Sequence, residues 1–105
     1  MKKYKYVVHC PVEVGDAIRN AIGEAGGGRI GNYDFCSFTI LGTGRSMGNE
    51  SSDPVYGQKN EISSSEEERI EVTVEEDIIK DVIRAVLNVH PYDQPTYDIY
   101  LLEDL

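Results

Sequence analysis

Gly42-Thr43-Gly44-Arg45 is the segment whose residue types best suit ligand capture. Its two glycines leave backbone N–H groups open, and the Arg45 guanidinium adds a planar set of donors, a combination that suits an anion. The segment lacks the lysine and the strand-to-helix setting of a phosphate-binding loop, so a flexible turn is its plain structural alternative. His90 and Tyr92, followed by Asp93, come just after an apolar helical stripe, where an imidazole can cap helix carbonyls as readily as it can meet a ligand. Arg29 lies between Gly28 and Gly31, in a turn from which it can reach a carboxylate such as Asp34 or one on a neighbouring subunit. The candidate ligand-binding set is therefore Arg29, Gly42, Thr43, Gly44, Arg45, His90 and Tyr92.

Metal chemistry has weaker material. His9 and His90 are the two imidazoles, and His9 is followed directly by Cys10. Neighbours on a strand point to opposite faces, so His9 and Cys10 cannot chelate one ion together, and a divalent cation would need carboxylates from another chain. Cys10 and Cys36 lack the spacing of a redox motif or a zinc site and read as reduced structural thiols. No Ser/His/Asp or Cys/His arrangement stands at a recognisable spacing, so no enzyme is expected and no cofactor is called for.

Nineteen acidic against ten basic residues give a net charge of -9 over 105 residues. Such a field repels phosphate backbones and anionic lipid, which argues against nucleic acid and membrane as partners. The apolar runs are far short of the ~20 residues that span a bilayer, and the Met-Lys-Lys-Tyr start leads into a charged strand, so a cytoplasmic protein is expected. The length suits a single domain over residues 1–105.

The elements that must position these groups follow from periodicity. Tyr4, Tyr6, Val8 and Cys10 alternate with Lys3, Lys5, Val7 and His9 as a strand would, up to Pro11. Val14, Ala17, Ile18, Ala21, Ile22 and Ala25 mark one helix face, stopped by Gly26-Gly27-Gly28. Tyr33 to Leu41 reads as a second strand, apolar on both faces. Residues 42–66 are rich in Gly, Ser, Asn, Asp and Glu and are expected to form a long loop, with a short hairpin extension around Val55 and Tyr56. Glu68 to Glu75 alternates as a third strand with Ile70, Val72 and Val74 inward, and Glu66-Glu67-Glu68 reads as its solvated start. Ile78, Ile79, Val82, Ile83, Val86 and Leu87 make a second helical stripe that closes near Pro91, and Tyr97, Ile99 and Leu101 mark a last strand.

The order βαββαβ with right-handed crossovers predicts an α+β, ferredoxin-like sandwich: a four-stranded antiparallel sheet of order 4-1-3-2 with two helices on one face. The opposite face, carrying Val7, His9, Thr73 and Tyr100, is expected to need a partner.

Three stretches, Gly28-Arg29-Ile30-Gly31-Asn32-Tyr33-Asp34-Phe35-Cys36-Ser37-Phe38, Gly42-Thr43-Gly44-Arg45 and His90-Pro91-Tyr92-Asp93-Gln94-Pro95-Thr96-Tyr97-Asp98, resemble linked signatures of one family. It is the domain inserted in many Nif-three-like proteins (the YqfO group), which also exists as a free-standing small protein, and the resemblance covers essentially the whole chain. It implies a fold like those of CutA and the PII signalling proteins, whose members form trimers through their sheets and, in PII, carry effector and partner contacts on the long loop after the second strand. The dinuclear-metal centre of the larger proteins belongs to their flanking domain, and no residues here match it. The family often has His where this chain has Phe35, a departure that weakens any metal site built around Cys36.

The expected function is thus an oligomeric binding or regulatory module of PII/CutA-like type, a homotrimer that takes a small anion or a partner protein in the clefts between subunits. The alternative is a CutA-like module that binds a divalent metal.

Overall fold

The computed structural model describes residues 1–55 and 57–105. The strands are β1 (Lys3–Pro11), β2 (Phe38–Met47), β3 (Ile62–Glu75) and β4 (Tyr97–Leu102), and the helices are α1 (Gly15–Glu24) and α2 (Ile79–Val89). All neighbours in the sheet are antiparallel, in the order β2-β3-β1-β4, the order expected from the sequence read from the other edge.

The alternation of β1 and β3 places the core. Tyr6, Val8 and Cys10 on β1 and Ile70, Val72 and Val74 on β3 turn to the helices, where Ile18 and Ile22 of α1 and Val82 and Val86 of α2 close over them. Each of these side chains is essentially removed from water, so each contributes about 1.5–3 kcal/mol of apolar burial. Because antiparallel partners share a face, the registers Lys5↔Thr73, Val7↔Glu71 and His9↔Arg69 put these six residues on the helix-free face. Tyr100, opposite Lys5, joins them there. Val7 is nevertheless only 1% exposed, so it does not await a partner as the sequence suggested.

Two expectations are corrected. The second strand begins at Phe38, not Tyr33, and runs on to Met47. Residues 28–36 instead form a turn: Gly28 N–H donates to Thr73 O and Cys36 N–H donates to Gly28 O, each at 2.9 Å, and Ile30 and Tyr33 exchange both backbone bonds. Gly28 (φ 80°) and Phe35 (φ 59°) hold left-handed conformations that no strand could contain. Cys36 therefore precedes β2, while Cys10 is buried, and the two thiols are unlinked.

The second correction concerns residues 42–66. Both ends of the segment are ladder: β2 and β3 stay paired from Phe38↔Glu71 out to Met47↔Ile62, so β3 starts six residues before Glu68 and the connection shrinks to residues 48–61. The expected hairpin at Val55 and Tyr56 is not formed at Val55, which lies in that connection, and Tyr56 is outside the described residues. This two-stranded ribbon extends past the helices, so neither of its faces needs the apolar alternation by which strands are recognised. The second strand is accordingly not covered on both sides: Phe38, Ile40, Leu41 and Met47 are all exposed.

Among the described residues no helix is long and apolar enough to cross a membrane.

Candidate functional site

The register of the ribbon gives the site its floor. Ile40, Gly42, Gly44 and Ser46 stand opposite Arg69, Glu67, Ser65 and Ser63, and all share the helix-free face with His9. Beyond Arg69 the floor is therefore Glu67 among glycines and serines. The connection 48–61 returns toward the segment after α2, where Asp53 N–H donates to Asp93 Oδ2 at 3.0 Å. Between this floor, the returning connection and residues 92–96 lies a cavity of about 730 Å³. That volume falls in the range of small-molecule sites.

His90 shapes the wall. Its backbone N–H closes α2 on Val86 O at 2.9 Å. Its ring does not cap helix carbonyls: Nδ1 accepts from Tyr92 N–H at 3.1 Å, and Nε2 donates to His9 O at 2.7 Å. The neutral Nε2–H tautomer satisfies both bonds. The buried imidazole thus fixes the turn that aims Tyr92 across the end of the sheet, and Tyr92 donates its hydroxyl to Glu67 Oε2 at 2.6 Å.

Of the residues singled out in the sequence, Gly42, Thr43, Gly44, Arg45 and Tyr92 all line this one cavity. His90 stands behind it, with both ring nitrogens occupied. Arg29 is elsewhere, at the far end of the sheet, beside a depression of about 130 Å³ shared with Lys3 and Glu75. There it meets Asp34 at 3.8 Å, as the turn allowed, with both side chains largely exposed.

The electrostatics of the wall are uneven. Arg69 is engaged: its Nε binds Glu71 Oε2 at 2.9 Å and its Nη1 donates to His9 Nε2 at 3.3 Å. The bonds to Glu71 hold its guanidinium above its usual pKa. Glu68, also in the wall, is neutralised by Arg19 at 2.7 Å, whose second arm reaches Asp16 at 2.8 Å. Arg45 makes no ion pair among the described residues.

This geometry is unfavourable to the two imidazoles as metal ligands. His90 has no free nitrogen, and His9 presents one nitrogen to a guanidinium. Among the described residues no group of three or more His, Cys, Asp or Glu is arranged to hold a metal ion.

Glu67 and Arg69 are site residues that sequence reasoning missed. The signal was the small residues at 42, 44 and 46 and the serines at 63–65, which read as a loop until they are recognised as part of a ladder.

No family model matches the chain. A protein of Halalkalibacterium halodurans described as a GTP cyclohydrolase 1 type 2 homolog is 40% identical over 99 residues, which covers 94% of this chain and 27% of that protein. The crystal structure of a Bacillus cereus protein related to NIF3 superposes with a TM-score of 0.86 at 35% identity, over 98% of this chain and 26% of that one. The PII-like protein CutA from Nostoc sp. PCC 7120 superposes with a TM-score of 0.65 at 20% identity, over 94% of this chain and 78% of that one, a likeness of fold alone. The expected likeness to the Nif-three-like proteins is therefore borne out along nearly the whole chain, which spans about a quarter of their length. The CutA/PII-like fold is borne out as well.

Proposed function

We propose that the protein is an oligomeric binding module that takes a small anionic ligand in the cavity at the hairpin end of its helix-free face. The observation that carries this reading is the convergence of Gly42, Gly44 and Tyr92 on one cavity of about 730 Å³ at whose edge Arg45, on the other face of the ribbon, has no ion pair among the described residues. The CutA/PII-like fold supports a binding or regulatory role in general terms.

Assembly belongs to the same reading. On the helix-free face Phe38, Ile40, Tyr100 and Leu102 are exposed, and they lie on the two edge strands. Exposed apolar edges of this kind favour pairing with further copies. A threefold ring closes on itself and covers every such face, so we assign a homotrimer.

Thermal shift tests the ligand. Phosphate, sulfate, small carboxylates and nucleotides are titrated against the wild type and Arg45→Ala, with divalent cations as the contrast. A native-state ligand raises the melting temperature with occupancy. A rise with an anion that disappears in Arg45→Ala is the expected result. A rise with divalent cations alone would replace this reading by the metal-binding one.

A further inference from the structure

The two ends of the helix-free face each carry charges without an ion pair among the described residues. At one end Lys3 and Lys5 stand on β1, opposite Glu75 and Thr73, and neither lysine makes an ion pair among the described residues. At the other end two carboxylates in the cavity wall lack a cation among the described residues. Glu67 accepts a neutral phenol, Tyr92, and Asp93 accepts a backbone N–H. The two ends cannot meet within one chain. Lys5 pairs with Thr73, and the six residue steps of strand from Thr73 to Glu67 span about 20 Å at ~3.3 Å each.

We propose that Lys5 of one copy seats its ammonium on Glu67 of the next, filling the cavity end that the small residues leave open. This rests on the oligomer reading above. Gly42, Gly44, Ser46, Ser63 and Ser65 supply the room a four-carbon stem needs, and the exposed Ile40 and Phe38 lie on the same face to pack against it. The pairing also removes one of the negative charges that an acidic chain of net charge -9 sets against an anion. Once Lys5 neutralises Glu67, and with Glu71 and Arg19 already holding Arg69 and Glu68, Arg45 and Asp93 are left as charges of opposite sign without an ion pair among the described residues.

Charge reversal tests the pair. Sedimentation equilibrium is run on the wild type, Lys5→Glu, Glu67→Lys and the double reversal, with circular dichroism to verify folding. Glu67→Gln, which keeps an acceptor for the Tyr92 hydroxyl, serves if Glu67→Lys does not fold. Each single reversal is expected to weaken assembly at least about tenfold, and the double to restore it to within about threefold of wild type. For Glu67→Gln a smaller loss that vanishes at high salt is expected. An oligomeric wild type whose single variants assemble equally well would overturn the pairing and leave the oligomer standing. Loss in the singles without rescue in the double would overturn it too, and a monomeric wild type would end both readings.

Discussion

The Tyr92 hydroxyl donates to Glu67 Oε2 at 2.6 Å, and this bond ties the segment after α2 to the third strand across the end of the sheet. The acceptor is a carboxylate, so the bond belongs to the stronger, charge-assisted class. Tyr92→Phe keeps the ring beside His90, whose centroid lies 5.0 Å away, and deletes only the donor. Urea denaturation should show a loss of about 1–2 kcal/mol with unchanged m-value, and an unchanged midpoint would mean the bond is idle.

Gly42 and Gly44 should respond differently to the same change. A Cβ at Gly42 meets nothing within 4 Å, whereas one at Gly44 overlaps the Glu67 carboxylate. Gly42→Ala is expected to be neutral or stabilising by up to ~1 kcal/mol, since it removes unfolded-state freedom. Gly44→Ala should push Glu67 off Tyr92 and cost about what Tyr92→Phe costs. Placing both changes in one chain then adds little, because they break one bond.

Where the core demanded alternation or helical spacing, the sequence could be read: the strands at Tyr6 and Ile70, the stripes at Ile18 and Val82 and the sheet order all follow from burial against one layer of helices. The ribbon from Gly42 to Met47 and from Ile62 to Glu67 reads as loop in the sequence because it lies beyond that layer. A ladder held by backbone bonds with solvent on both sides leaves no apolar period. The turn before Phe38 was hidden for another reason. Phe35 and Cys36 look like strand residues, yet Phe35 packs on Gly23 of α1 in a left-handed conformation. Gly42, Thr43, Gly44, Arg45 and Tyr92 were chosen by residue type and do meet at one cavity. Arg29 was chosen the same way and stands at the opposite end, because residue type does not say which end of a strand a turn adjoins.

Arg19 and Glu68 join α1 to the sheet, at 2.7 Å, with the Glu68 side chain 13% exposed and Arg19 also donating to Thr39 at 3.1 Å. A half-buried pair loses more when one partner is removed than its net worth, since the survivor is stranded. Arg19→Met should therefore destabilise by about 2–3 kcal/mol at neutral pH. Urea denaturation at neutral pH reads the loss, and an unchanged midpoint would mean the pair is idle.

Burial pushes the Cys10 thiol up from 9.0 to about 11, with the nearby Glu68 carboxylate adding to the effect. The unfolded chain gives up this proton near pH 9 while the folded chain holds it to about 11, so between these values the native state binds more protons. Stability must then fall as pH rises through that window, with the full contribution present below it. Burial raises the Tyr6 hydroxyl as well, with Tyr97 adding to it, so part of the decline at the upper end belongs to Tyr6. Cys10→Ala separates the two. The variant begins less stable, having lost a buried sulfur, but it has no thiol to titrate. Denaturation midpoints of wild type and Cys10→Ala should therefore converge from pH 9 to pH 11, and native-state alkylation of Cys10 should stay slow in the same interval. A constant gap between the two proteins across that range would show that the thiol titrates alike in both states.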